Sequence, residues 1–215
     1  MRRLDGFSRY AHLHGRGQAN QPGEALRALR YGIVDCAIVG GSEAPLTRGT
    51  LSAWSALRAL AAVDPIDAAR SCRPFAADRS GFVLGEGAGA LLLELADRAA
   101  ARGARIYGEL AGYGTTSDAT HIADPSIDGQ VRAIRAALTD GGVDPADVGY
   151  INAHGTATIV GDRIEASSIR QAFGEHADAI AVSSTKALHG HVMGATGAIE
   201  MIIATLALYL SLIHI

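Results

Sequence analysis

Ile151-Asn152-Ala153-His154-Gly155-Thr156-Ala157-Thr158 and Ser184-Thr185-Lys186-Ala187-Leu188-His189-Gly190-His191-Val192-Met193-Gly194 are the two segments whose reading decides the fold. Each follows a short apolar run that reads as a strand, Val148 to Ile151 for the first and Ala179 to Val182 for the second. Each then leads through small, flexible residues toward a helical pattern. Two buried strands ending in a histidine and a glycine-rich turn place both imidazoles at the carboxyl ends of a sheet. Open α/β sheets build their sites there.

Outward from these loops, helical stripes alternate with apolar strands from Gly23 onward, which predicts an α/β class with a largely parallel, doubly covered sheet. Ala25, Leu26 and Leu29 share a helical face stopped near Gly32. The run Val34 to Val39 reads as a buried strand closed by Gly40-Gly41, and Leu51, Trp54, Leu57 and Leu60 mark a second helix. Gly81 to Glu94 reads as two strands around a glycine-rich bend. A short helix over Leu95 to Arg102, a strand over Ile106 to Gly112 and helices over Gln130 to Asp140 and Arg163 to Phe173 follow. The apolar run Ala198 to Leu208, interrupted by Glu200, is shorter than the ~20 residues of a membrane span and predicts a buried core helix. Met1 to Pro22 has no periodicity and reads as an unpatterned arm.

Apolar residues make up 48% of the 215 and charged residues 19%, which suits a globular chain and argues against disorder. With a net charge of −3 and no Lys/Arg run, nucleic acid is not the expected partner. No long apolar stretch follows Arg2 and Arg3, so no secretory signal is read there. Cys36 and Cys72 are too few and too far apart for a disulfide framework or a zinc site. Cys36, inside an apolar run, is expected to be a buried, inert thiol, and a reducing cytoplasm is the simplest compartment.

Gly85, Gly87 and Gly89 suggest a dinucleotide loop, but they lead into Ala90-Leu91-Leu92-Leu93 rather than a helix with an acidic ribose partner. Close backbone packing is the better account. His154 and His191 have a different character. Neutral imidazoles whose N–H groups converge suit a developing oxyanion or enolate. Lys186 lies five residues before His191 and Glu200 nine after it, so a charged pair is expected to orient that ring and set its tautomer. Thr156 and Thr158 offer hydroxyls to an amide-bearing substrate. Metal binding by His154, His189 and His191 matches no common zinc spacing, and His189 is expected to be a loop side chain. His12 and His14 are assigned no role.

Asn152 to Thr158, Lys186 with Gly190-His191, and Gly194-Ala195-Thr196-Gly197-Ala198-Ile199-Glu200 resemble the β-ketoacyl-acyl-carrier-protein synthases. The likeness is to the type II elongating enzymes of bacterial fatty acid synthesis and their polyketide relatives. Arg73-Pro74-Phe75, Gly81 to Gly87, and Val39-Gly40-Gly41-Ser42-Glu43 are similar to that family as well. The resemblance implies a thiolase-like fold, here incomplete: the end of the first α/β half plus most of the second. It divides the chain into an arm (1–22), a remnant of the N-terminal half (23–98), a truncated C-terminal half (99–208) and a tail (209–215). It also implies a decarboxylating Claisen condensation, with His154 and His191 driving decarboxylation, Lys186 paired with Glu200, and Asp162 supporting the first histidine loop. Thr156 and Thr158 would hydrogen-bond pantetheine. The protein itself would bind no cofactor, since the substrate rides on the phosphopantetheine of acyl carrier protein. The partners implied are that carrier and, in the intact family, a second copy of the chain.

The sequence departs from the family at the nucleophile. The position of the family cysteine falls on Gly15, and neither Cys36 nor Cys72 matches it. A thiolate at a helix N-terminus is what acyl transfer needs. Both ends, Met1 to Pro22 and Leu210 to Ile215, read as non-native sequence, so the chain is expected to be a fragment unable to complete condensation. The alternative is a non-catalytic partner resembling the chain-length-determining subunits of polyketide synthases, which lack the cysteine. Those relatives usually lose the histidines too, and both are present here. A thiolase acting on acyl-coenzyme A is disfavoured by the two-histidine motifs. A half-fold of this kind is also expected to expose a face that promotes association.

Overall fold

The computed structural model describes residues 9–12, 21–119 and 125–212. The chain runs β1 (Arg9–His12), α1 (Gln21–Arg30), β2 (Cys36–Glu43), α2 (Arg48–Ala56), β3 (Gly87–Glu94), α3 (Ala96–Ala101), α4 (Ile127–Gly141), β4 (Val148–Asn152), α5 (Ile159–Phe173), β5 (Ala181–Ser183), α6 (Lys186–His189) and α7 (Thr196–Tyr209). Among the described residues no helix is long and apolar enough to cross a membrane.

Among the described residues two sheets form rather than one largely parallel sheet. β1, β4 and β5 make a parallel sheet in that order, and β2 and β3 make an antiparallel ribbon. Tyr150 pairs with Ala181 and Asn152 with Ser183, so the two strands that lead to the histidine loops are neighbours and end together. The core behind them joins Val131, Ile134 and Leu138 of α4, Val148 and Ile151 of β4, and Ile169, Ala172 and Phe173 of α5. The 3.6-residue spacing of the α4 residues makes one apolar stripe, and Gly142 ends that helix in the left-handed region. Burying Ile134 and Ile151 completely contributes about 2–3 kcal/mol each.

Several expectations need correction. The arm is not without order: Arg9–His12 pairs in parallel with Val148–Asn152, because a strand edge offers free N–H and C=O groups to any extended segment beside it. The first helix starts at Gln21, with Pro22 in the first turn, where its missing N–H costs nothing. β2 does not stop at Gly40-Gly41. It pairs residue for residue with β3 from Cys36↔Glu94 to Glu43↔Gly87. Nor is it buried, since Ile38 is 81% exposed and Cys36 is exposed, while Val39 on the other face is buried. Strand alternation gives the ribbon two faces, and only one is covered.

The helix of Leu51 and Trp54 ends at Ala56 and buries none of its residues. Gly81 to Glu94 yields one strand, β3, preceded by single bridges from Leu60 to Phe82 and from Leu84 to His191. Ile106 to Gly112 carries no strand among the described residues. That stretch lies against α4 at Gly112 and has no ladder partner among those residues. The expected core helix is α7, which packs on β2 and β3. Gly89 permits the contact, since a Cβ there would come within 2.9 Å of the Ile202 side chain. Gly15, His14 and residues 213–215 lie outside the described residues.

Candidate active site

β4 and β5 deliver the two histidine loops side by side, and the rings meet. The His154 and His191 centroids are 5.3 Å apart with the ring planes at 86°. His191 is also pinned from the other part of the chain. Its N–H donates to the Val83 carbonyl at 2.7 Å, and its carbonyl accepts from Gly85 N–H at 3.1 Å. Gly190, at φ +70°, makes the turn into that bridge. Phe82 lies edge-on to the His191 ring at 5.5 Å, with Trp54 edge-on to Phe82 at 5.3 Å.

This apolar wall has an electrostatic consequence. Burial, reinforced by the Lys186 charge and by His189, pushes the His191 imidazole down from its ordinary 6.5 to about 3, so the ring is neutral near pH 7. Its Nδ1 receives the Met193 backbone N–H at 3.2 Å and lies 3.1 Å from Thr196 Oγ1. An Nδ1 that accepts from a backbone amide carries no proton, so the neutral ring bears its hydrogen on Nε2. The tautomer is therefore set by Met193, not by a Lys186–Glu200 pair as the sequence suggested. A backbone N–H can only donate, so the ring nitrogen that faces it must accept.

The Lys186–Glu200 pair does form, and it serves the other histidine. Lys186 Nζ lies 2.6 Å from Glu200 Oε1 and donates to the His154 carbonyl at 2.5 Å. Both side chains are fully buried. Burial raises the Glu200 carboxyl to about 7, against the pull of Lys186. On the opposite side of the same backbone, Glu165 accepts the N–H groups of His154 and Gly155, each at 2.7 Å. Ser184 Oγ donates to the Gly155 carbonyl at 2.9 Å. The His154 peptide is thus held at both its N–H and its C=O.

Thr156 Oγ1 and Thr158 Oγ1 lie 3.0 Å apart at the start of α5. Between them Ala157 sits at φ +62°, unusual for a residue with a Cβ. Asp162 is buried behind the loop and accepts the Phe75 N–H at 2.7 Å; burial raises its carboxyl despite that bond and the nearby Arg79. His189 pairs through Nε2 with Thr185 Oγ1 at 3.0 Å, one turn of α6 away, and does not join the pair. Cys72 is buried, and burial pushes its thiol up, which is wrong for a nucleophile.

Four of the expected residues, His154, His191, Lys186 and Glu200, form one connected cluster, while Thr156, Thr158 and Asp162 flank it. Sequence reasoning missed Glu165, Phe82 and Met193. Glu165 is an acid in an amphipathic helix, which from sequence is indistinguishable from a solvated one. Its position three residues after Asp162, on the same helical face, was the only signal available.

Comparison with known proteins adds a lineage to this geometry. The model of the β-ketoacyl synthase N-terminal domain matches residues 23–99, and that of the C-terminal domain matches residues 107–214. The chain is 50% identical over 191 residues, 88% of its length, to the 3-oxoacyl-[acyl-carrier-protein] synthase 2 of Staphylococcus aureus. It spans 47% of that protein, so about half the length of the curated relatives it matches. Among solved structures it is similar to a type II polyketide synthase acyl-carrier protein in complex with its ketosynthase bound to the hexaketide, at TM-score 0.84 and 38% identity. That match covers 88% of this chain and 47% of the other. The ishigamide ketosynthase/chain length factor matches at TM-score 0.79 and 38% identity, over 88% of this chain and 44% of its own.

Proposed function

This chain belongs to the β-ketoacyl synthase family, and from that premise we propose that it carries the decarboxylating half of a ketosynthase site. The substrate is a malonyl group thioesterified to the phosphopantetheine of acyl carrier protein. The observation that carries this reading is the perpendicular pair of imidazoles 5.3 Å apart, one of them a neutral Nε2–H donor.

In the proposed step the malonyl carboxylate leaves as carbon dioxide, and its bonding electron pair becomes the enolate of the thioester. The thioester oxygen takes up negative charge and is stabilised by hydrogen bonds from His154 and His191, both half-buried. Protonation of the enolate carbon gives acetyl carrier protein. In the whole ketosynthase that carbon would instead attack an acyl thioester held on a cysteine, with the thiolate as leaving group. Lys186, Glu200 and Glu165 hold the His154 backbone in place, and the Thr156 and Thr158 hydroxyls receive the pantetheine amides. We place the reaction in fatty acid or polyketide synthesis in the cytoplasm, with acyl carrier protein and a second ketosynthase chain as partners.

The alternative, a non-catalytic partner of a ketosynthase, does not need the two rings brought together. Carbon dioxide release from malonyl carrier protein by the chain separates the two. Loss of one oxyanion donor costs about 100- to 1,000-fold, so His154→Ala should fall near the uncatalysed rate. Equal rates for the wild-type chain and His154→Ala would remove the catalytic reading.

A further inference from the structure

Arg79 lies about eighty residues before the first histidine loop, yet its guanidinium closes that loop. Nε donates to the Thr158 carbonyl at 3.1 Å, one terminal nitrogen to the Ile159 carbonyl at 2.8 Å and the other to the Ala76 carbonyl at 2.8 Å. The side chain is 16% exposed, and Nε is 3.6 Å from Asp162 Oδ2. Asp162 in turn accepts the Phe75 N–H at 2.7 Å, and the nearby Ala157 and Thr156 backbone pulls its carboxyl down against the effect of burial.

A cation at this position is not explained by helix electrostatics. Thr158 immediately precedes α5, and positive charge at a helix N-terminus opposes the macrodipole. What suits the position is a planar fork of donors able to reach several carbonyls at once, which lysine does not provide. The fork holds the two carbonyls that follow Ala157, whose φ of +62° a residue with a Cβ keeps only when its surroundings hold it there. The residues on either side of Ala157 are Thr156 and Thr158, whose hydroxyls are 3.0 Å apart.

We propose that Arg79 is a positioning residue for the substrate arm: by fixing the Thr158 and Ile159 carbonyls it keeps the Thr156 and Thr158 hydroxyls registered for pantetheine. This rests on the reading of those hydroxyls as the groups that take the pantetheine amides. Arg79 touches neither histidine in any hydrogen bond described above, so its effect falls on binding of the arm rather than on carbon dioxide loss once bound.

Titration of the full chain with pantetheine, followed by amide chemical shifts, tests this. Arg79→Lys keeps the charge beside Asp162 but loses the fork, and should raise Kd about five-fold, the equivalent of one hydrogen bond. In a Thr156→Val/Thr158→Val background the same change should leave Kd unaltered, because the groups that Arg79 positions are gone. A merely structural role would instead weaken both backgrounds alike, and that additive result overturns the proposal, as does a wild-type Kd for Arg79→Lys. Should Arg79→Lys fail to fold, Arg79→Gln, whose amide reaches a single carbonyl, takes its place with the same two outcomes. Absence of saturable pantetheine binding by the wild-type chain would instead overturn the substrate-arm reading, and this inference with it.

Discussion

The histidine corner and the β2–β3 ribbon are made of equally apolar strands, yet one excludes water and the other faces it. Ile151 on β4 is 0% exposed, whereas Ile38 on β2 is 81% exposed and its cross-strand partner Leu92 is 55% exposed. The difference lies in what stands on either side. β4 has β1 and β5 on its edges, and its Ile151 packs with α4 and α5. The ribbon has α7 and α1 against it, and Ile38, Gly40, Leu92 and Ala90 alternate onto the face they leave open. Apolar pattern selects a face; burial requires a neighbour to cover it.

The comparison is sharpest at the buried pair. Lys186→Met leaves Glu200 without its cation and should destabilise the chain by about 3 kcal/mol at pH 8. Acid should soften that loss. The Glu200 carboxyl is raised from its ordinary 4.5 to about 7 in the folded chain, so folding takes up a proton between those values. Its contribution is therefore greatest below the unfolded value and declines as pH rises through about 7. Without Lys186 the carboxyl rises further, so denaturant unfolding should show a smaller deficit near pH 5 than near pH 8. A deficit independent of pH would mean that Glu200 does not titrate in this window.

The open face should behave oppositely. Ile38→Thr and Leu92→Thr keep strand propensity and remove apolar surface, and each should change unfolding free energy by no more than about 0.5 kcal/mol. Both should lower self-association measured by sedimentation, since the patch they interrupt is the one that invites it. A loss of about 2–3 kcal/mol from either would show that the face is covered, and would end the contrast with the histidine corner.

Much of the corner was legible because its parts are local. A strand, a histidine, a glycine and a helix within a dozen residues leave little freedom for where the ring goes, and His154, His191, Lys186 and Glu200 met accordingly. The unread parts depend on long-range packing. Glu165 became a backbone anchor only because α5 returns beneath the loop it follows. The His191 tautomer depends on the Met193 amide, a group every sequence has. Cys36 read as buried because its neighbours are apolar, and nothing local says that the strand presents it outward. Ile106 to Gly112 has strand composition but has no ladder partner among the described residues, since pairing is a property of two segments.

The paired-donor site depends most on the state of the His191 ring. Nitrogen-15 NMR of the imidazoles across about pH 5 to 8 reads it directly, given a folded value held near 3 by burial. The geometry predicts a neutral ring throughout, with the proton on Nε2. A ring that titrates near its ordinary 6.5, or one protonated on Nδ1, would contradict the paired-donor site.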